Sequence, residues 1–253
     1  MRNIERKQNR EIYAEEEGYM DITKGRDWRI ELLRFMATLG IAIFHFEWIY
    51  LGHPVFFRHF YLFVEFFFVL SGFFLAKNAK KNKSEDDYAS LKYAYGQAKK
   101  LWPPYFIAFL FSFFVYCLVN NVRGTNILWV LWQSKWETIY FQLSGFDPTA
   151  PVINGVTAYI PALLFGSLII HYMYTKHYRL TVNVLSIVSP VFIYSHIVIT
   201  YGNLSQWMVY ENWYTVGIIR GIAGILIGVL AFEVGYYLKN FGGGIKNFIV
   251  LVK

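Results

Sequence analysis

Six stretches of predominantly apolar residues, each about as long as a membrane-spanning helix, dominate this sequence. They cover residues 30–50, 59–76, 101–120, 155–174, 180–200 and 214–238. A helix satisfies its own backbone hydrogen bonds in lipid, where water is absent. Hydrophobic residues make up 56% of the chain and charged residues only 16%, a balance that excludes a soluble globular domain. The sequence therefore predicts an all-α, polytopic transmembrane helical bundle.

Lysine and arginine residues outside the spans predict the orientation. If the N terminus is cytoplasmic, nineteen of them face the cytoplasm and three, Arg58, Arg123 and Lys135, face the other side. Positive residues are retained on the cytoplasmic side of a membrane. We therefore expect both termini in the cytoplasm, an even number of spans, and a multi-pass protein of the inner or plasma membrane.

Charge and cysteine content exclude other classes of protein. The net charge of +7 is explained by this topology, so we expect no nucleic-acid partner. The single cysteine, Cys117, excludes an internal disulfide and any multi-cysteine metal site, and we expect no metal.

The segments between and beyond the spans define the domain organisation. Residues 1–28 lack the apolar run of a cleaved signal and predict a cytoplasmic tail. Residues 29–241 form the transmembrane domain, and residues 242–253 form a short C-terminal tail. Within the domain, we expect a basic cytoplasmic loop over 77–100, in contact with lipid headgroups. The tryptophans of 121–154 have near-helical spacing, which predicts a helix on the outer surface.

Ionisable residues inside the spans are candidates for function, because burying a charge in lipid costs at least about 2.5–3.5 kcal/mol. Arg34 and His45 share the first span and are eleven residues apart, which places them on one helix face about 16 Å apart. Glu31 lies near the same face. Arg34 is also close enough to the inner surface to extend its guanidinium into water, which is a structural alternative.

Three ionisable residues lie at a similar depth below the outer surface. His45, Glu65 and Arg220 are each five or six residues from the outer end of their span, and His196 in the fifth span is a candidate fourth member. A cation, an acid and an imidazole inside a bundle would satisfy one another and form a centre suited to proton transfer. The alternatives are a structural Glu65–Arg220 pair and a His45 that is a packing residue.

Two motifs near the N terminus resemble those of the acyltransferase 3 family of membrane O-acyltransferases. The first is RIELLRFMATLGIAIFHF, in which ten residues separate Arg34 from His45. The second is FVEFFFVLSGFFLAK, in which Glu65 precedes a run similar to the family's FFVLSGF block. Both motifs occur in the family's order and at its separation.

Two later blocks extend the resemblance, which covers about residues 26–238. The run Lys100–Tyr105 resembles the family's basic and Pro-Pro-Tyr block, and residues 220–224 resemble a block that begins with arginine. The chain departs from the family at Gln97, where the family usually has an arginine, and at residues 158–160, where the family usually has Trp-Tyr-Leu.

The resemblance implies a reaction in which acyl-CoA, such as acetyl-CoA, donates an acyl group to a hydroxyl of an extracytoplasmic or cell-surface saccharide. Lys99, Lys100 and Tyr105 would bind CoA from the cytoplasm, with the lysines holding phosphates as point charges. The expected partners are acyl-CoA, the saccharide acceptor and the lipid bilayer.

The same resemblance implies catalytic roles. His45 would accept the proton of the acceptor hydroxyl as its oxygen attacks the thioester carbon. Glu65 would orient or stabilise the imidazole, and Arg220 or Arg34 would offset the oxyanion charge. Ser71 is a candidate for binding substrate or carrying an acyl group, although a Ser-Gly pair more often serves close helix contact.

Other functions remain open on the sequence. The family has about ten spans and this sequence carries six. This difference is compatible with a shortened family member, a truncated reading frame or an inactive remnant. A helper membrane protein or an oligomer would supply absent helices. The leading non-enzyme alternative is a small transporter or export component, in which the charged residues line a polar path. Binding of CoA would separate the enzyme from these alternatives.

Overall fold

The structure is a computed structural model that describes residues 27–82, 88–135, 153–157, 159–207, 209–211 and 214–251, with side chains of the last helix as far as Leu238. It divides into two compact units, Met1–Phe60 and Tyr61–Lys253, and each unit is described by itself. Residues 1–26 of the tail predicted over 1–28, and most of the predicted outer segment after Lys135, lie outside the described residues.

Helices form nearly all of the described chain. They are α1 Trp28–Leu51, α2 Phe63–Lys81, α3 Ala89–Val119, α4 Thr125–Gln133, α5 Tyr159–Lys176, α6 Tyr178–Tyr201 and α7 Val216–Leu251. Helix α6 contains a π-helical segment, Thr181–Leu185. Two short antiparallel strands, β1 Tyr210–Glu211 and β2 Tyr214–Thr215, connect α6 to α7.

The predicted membrane spans are confirmed. Six helices in the described part of the chain are long and apolar enough to cross a membrane: Trp28–Leu51, Phe60–Lys81, Ala89–Val119, Gly155–Lys176, Tyr178–Tyr201 and Val216–Leu238. Helix α4 lies within the predicted outer segment 121–154, and its Trp129 and Trp132 are exposed.

The structure differs from the predicted loop over 77–100. Helix α2 continues to Lys81 and α3 begins at Ala89, so most of this basic stretch is helical. With 31 residues, α3 is about 46 Å long at 1.5 Å per residue, whereas the hydrocarbon core is about 30 Å thick. The polar end of the helix therefore continues beyond the apolar span. At the other end of the chain, α7 continues through the predicted C-terminal tail to Leu251.

The second unit is a helical bundle with α7 at its centre, in contact with α2, α5 and α6. Glycines allow α7 and α2 to approach closely. A Cβ added to Gly72 would lie 1.9 Å from the backbone oxygen of Ile225, and one added to Gly228 would lie 2.0 Å from that of Val69. Small residues at helix contacts are typical of membrane bundles, because they let backbones pack against each other. This contact fixes the position of α2 against α7.

Candidate active site

Glu65 and Arg220 form an ion pair between α2 and α7. Glu65 lies in the first turn of α2 and Arg220 lies near the start of α7. The Arg220 Nε donates a hydrogen bond to Glu65 Oε1. The Arg220 side chain is 2% exposed and that of Glu65 is 15% exposed, so the pair is removed from solvent. A buried pair of this kind needs further hydrogen bonds to offset the loss of hydration.

Tyrosine and tryptophan side chains complete the surroundings of this pair. The hydroxyl of Tyr194, on α6, donates to the second carboxylate oxygen of Glu65 at 2.6 Å. Arg220 Nη2 lies 3.4 Å from the backbone oxygen of Tyr61. The guanidinium carbon lies 4.9 Å from the ring centroid of Trp207, which stacks on Phe68. Three helices therefore contribute a carboxylate, a guanidinium and a phenol to one centre.

A glycine of α7 makes room for the carboxylate. A Cβ added to Gly224 would lie 2.6 Å from Phe68 Cβ and 3.1 Å from Glu65 Oε2. The absence of a side chain thus lets the turn of α7 after Arg220 pass directly beside the acid. This close contact explains why the block that begins with Arg220 continues with small residues.

This centre provides fixed charge inside the bundle. Its dipoles and charges are already oriented by the fold, so they need little rearrangement when charge develops nearby. In a region of low effective dielectric, such groups interact more strongly than they would in water. The arrangement is also compatible with a purely structural pair, which was the alternative left open by the sequence.

Two predicted site residues lie in the first unit. Arg34 and His45 are both in α1, as expected from their spacing, and both are half-buried. Arg34 Nη1 donates to Glu31 Oε1 at 3.0 Å, one turn earlier in the same helix. The expected meeting of His45 with Glu65 and Arg220 stays a prediction.

A carboxylate in α1 organises the end of that helix. Glu47 is buried and accepts hydrogen bonds from the backbone N–H groups of Val55, Phe56 and Phe57 at 3.0–3.3 Å. Gly52, with a φ of 74°, forms the C-cap that reverses the chain. Glu47 thereby holds the segment after α1 in place, two residues from His45.

The predicted CoA-binding residues lie along α3. Lys99 and Lys100 are exposed, whereas Tyr105 is buried. Lysine ammonium groups at these positions are accessible to an anionic ligand, and the phenol of Tyr105 faces the protein interior. The structure therefore places the two lysines on a different face of α3 from the tyrosine.

Hydrogen bonds and ring stacking dock the polar part of α3 on α5. Ser90 Oγ lies 2.9 Å from His171 Nδ1, and both side chains are buried. The Tyr93 ring stacks on His171 with centroids 4.6 Å apart. Gln97, which stands where the related family usually has an arginine, donates from Nε2 to the Tyr93 hydroxyl at 3.0 Å. These contacts determine where Lys99 and Lys100 lie.

Two further predicted residues are placed as follows. Ser71 is half-buried and precedes Gly72, whose backbone packs against Ile225. His196 is on α6, but it contacts Glu211 of β1 at 3.1 Å rather than the Glu65 pair. Residues 194 and 196 point about 200° apart on a helix, so Tyr194 and His196 face opposite ways.

Glu233 is a further buried carboxylate that the sequence did not predict. Glu233 of α7 accepts hydrogen bonds from Tyr174, from Tyr178 at 2.8 Å and from Lys80 at 3.1 Å. The Lys80 ammonium also lies 3.5 Å from the ring centroid of Tyr236. An acid inside an apolar span is a signal that the sequence does carry. This cluster joins four helices at the end of the bundle opposite to Glu65.

No group of three or more histidine, cysteine or acidic side chains that could hold a metal occurs in the described ranges.

One comparison with known proteins gives a match. A family model described as an acyltransferase domain matches residues 27–252, which is nearly the whole chain. Neither a curated protein nor a solved structure matches the sequence.

Proposed function

The chain belongs to the acyltransferase 3 family and is a multi-pass membrane protein of the acyltransferase class, and we propose that it transfers an acetyl group from acetyl-CoA to a saccharide hydroxyl on the far side of the inner or plasma membrane. The observation that carries this proposal is the contact between Glu65 and Arg220. These residues come from two separate blocks that resemble the family's motifs, and they meet in one buried centre.

The proposed reaction needs a base, a site for the oxyanion and an exit for the thiol. The acceptor oxygen attacks the thioester carbon, the C–S bond breaks, and CoA leaves as its thiol. His45 takes the hydroxyl proton and returns a proton to the leaving sulfur. Because imidazole titrates near pH 6.5 in water, it can both accept and release a proton at working pH.

The charged centre stabilises the transition state in this proposal. As the carbonyl becomes tetrahedral, negative charge grows on its oxygen, and oriented N–H groups and cations lower its energy. Arg220 supplies such a charge near the start of α7, and Glu65 with Tyr194 holds its guanidinium in one orientation. Arg34 remains the alternative source of positive charge, in α1.

The donor is proposed to enter from the cytoplasmic side. CoA carries three phosphate groups, and Lys99 and Lys100 are exposed cations on a part of α3 that is docked against α5. Lysine binds phosphate as a point charge without the fixed geometry of arginine. Gln97 carries no charge, so it would add nothing to the positive charge that these lysines offer the phosphates.

The test uses the full chain in membranes. Cells that express the protein and cells that carry the empty vector are permeabilised and supplied with labelled acetyl-CoA. The label on the surface glycan is then measured. The proposal predicts label that depends on the chain and is released by mild base as acetate. Absence of both transfer and acetyl-CoA binding would overturn it and favour the transporter or the inactive remnant.

A further inference from the structure

A second polar cluster lies at the same end of the second unit as the Glu65 pair, but it faces away from that pair. It comprises His196, Thr200 and Tyr201 of α6 and Glu211 of β1. Here it is called the α6 hairpin cluster. His196 Nε2 lies 3.1 and 3.2 Å from the two carboxylate oxygens of Glu211. The Tyr201 hydroxyl donates to Glu211 Oε1 at 2.6 Å.

The hydrogen bonds of this cluster assign the tautomer of its histidine. A carboxylate only accepts hydrogen bonds, so Nε2 of His196 is the protonated nitrogen. In the neutral ring, Nδ1 then carries a lone pair that accepts a hydrogen bond. Nδ1 lies 3.5 Å from Thr200 Oγ1, at the limit of a hydrogen bond. The hydrogen bond from Nε2 to the carboxylate thus sets the tautomer and leaves Nδ1 as the acceptor nitrogen of the ring.

Exposure separates this cluster from the buried ones. The His196 side chain is 48% exposed, and that of Glu211 is 20% exposed. The Arg220 side chain is 2% exposed and that of Glu65 is 15% exposed, so their pair is less exposed than the His196–Glu211 pair. The other helices of the unit therefore leave the His196 side chain partly uncovered.

The position of the cluster relates it to the acceptor. His196 is near the end of α6, and Glu211 lies in the hairpin that leads into α7, five residues before its first residue. In the orientation predicted from the charge of the loops, this end of the bundle is on the extracytoplasmic side. Tyr194, two residues before His196, contacts Glu65 of the proposed catalytic centre.

We propose that the α6 hairpin cluster binds the hydroxyl-bearing saccharide acceptor, with His196 Nδ1 accepting a hydrogen bond from a sugar hydroxyl and the Glu211 carboxylate accepting a second. This inference rests on the proposed function. The cluster selects and orients the acceptor, and it takes no part in the proton transfer assigned to His45. It accordingly affects the Michaelis constant for the acceptor and leaves that for the donor unchanged.

The experiment measures initial rates with the full chain in proteoliposomes. The substrates are labelled acetyl-CoA and de-O-acetylated surface glycan from the source cells, and each is varied in turn. His196→Ala and Glu211→Gln are expected to raise KM for the glycan about tenfold, as the loss of one hydrogen bond to the acceptor would, with KM for acetyl-CoA unchanged. The matched control is Ser195→Ala, at the exposed neighbouring position of α6, which is expected to behave as the parent.

The outcomes separate this inference from the proposed function. An active parent with an unchanged glycan KM in His196→Ala and Glu211→Gln overturns the role of the cluster and leaves the transferase intact. A parent that transfers nothing to the glycan overturns both. If His196→Ala fails to fold, Tyr201→Phe decides the matter, because it removes one hydroxyl bonded to Glu211 and is expected to raise the glycan KM by a smaller factor. If Tyr201→Phe and Glu211→Gln both fold and both keep the parental KM for the glycan, the proposal is contradicted.

Discussion

Glu65 and Arg220 are 155 residues apart in the sequence, and they form a buried ion pair between the first turn of α2 and the start of α7. Tyr194 of α6 binds the same carboxylate, so three helices converge on one charge centre. Together with Tyr194, the pair fixes the positions of α2, α6 and α7 relative to one another at this level of the bundle. In the proposed mechanism it also gives the acyl-transfer site its oriented positive charge.

Removing either partner of this pair is expected to destabilise the bundle. Glu65→Gln or Arg220→Ala leaves a buried charge without its counter-ion, which costs about 3–5 kcal/mol. The double variant Glu65→Leu with Arg220→Met removes both charges and is expected to recover most of that loss, while acyl transfer stays abolished. Denaturant titration in detergent measures the stability, and the glycan-labelling assay measures the activity. A double variant that transfers acetyl at the parental rate would contradict the catalytic role of the pair.

The glycine contacts between α2 and α7 are expected to be sensitive to a single methyl group. The Cβ of Gly228→Ala would lie 2.0 Å from a backbone oxygen of α2, so the helices must separate. The matched control is Gly235→Ala on the same helix, where nothing lies within 4 Å of the new Cβ. We expect Gly228→Ala to lower the melting temperature in detergent. Gly235→Ala should leave it unchanged or raise it, because alanine favours a helix by about 1 kcal/mol over glycine. Equal behaviour of the two variants would contradict the close packing.

The Lys80–Glu233 pair is expected to contribute to stability and to have no direct part in transfer. Glu233→Gln weakens the hydrogen bonds from Lys80 and two tyrosines, and we expect a loss of about 1–3 kcal/mol in the free energy of unfolding. Lys81→Met, at an exposed position beside Lys80, serves as the control and should not change it. Both KM values of the folded Glu233→Gln protein are expected to equal those of the parent. A selective change in either KM would assign this cluster to a substrate.

The two exposed lysines of α3 are expected to affect the donor alone. Lys99→Ala combined with Lys100→Ala should raise KM for acetyl-CoA about tenfold, equivalent to about 1.4 kcal/mol. The effect should shrink as ionic strength rises, since salt screens exposed charges. Initial-rate kinetics at low and high salt check this, with Lys81→Ala as a lysine control. A donor KM that is unchanged at low salt would place the phosphates elsewhere.

The spans and several site positions could be predicted from the sequence, because each depends on a local pattern. A run of about 20 apolar residues specifies a membrane helix without reference to the rest of the chain. The spacing of Arg34 and His45 specifies a shared helix face, and the structure places both in α1. Depth within their spans groups Glu65 with Arg220, and the structure brings the two side chains into contact.

The partners of other residues depend on how the helices rotate against each other, which depth alone does not specify. His196 lies near the level of Glu65, but it is on the face of α6 opposite to Tyr194, which contacts Glu65. It instead contacts Glu211, in a hairpin that no local sequence pattern indicates. Glu233 lies near the other end of α7, away from the depth that His45, Glu65 and Arg220 share, so the depth pattern does not indicate it. The polar stretch 77–100 lacks apolar periodicity, so the sequence does not predict the helical structure of residues 77–81 and 89–100. In the structure, Tyr93 of this stretch stacks on His171 of α5.

The substitution of His45 tests the proposed chemistry most directly. His45→Ala, inserted in membranes at the parental level, is assayed for transfer from labelled acetyl-CoA to the surface glycan. His53→Ala, an exposed histidine after α1, is the matched control. Loss of a general base typically lowers the rate by about 10²–10⁴-fold, so His45→Ala should be nearly inactive while His53→Ala keeps full activity and both still bind acetyl-CoA. Transfer by His45→Ala at the rate of an active parent would contradict the proposed mechanism.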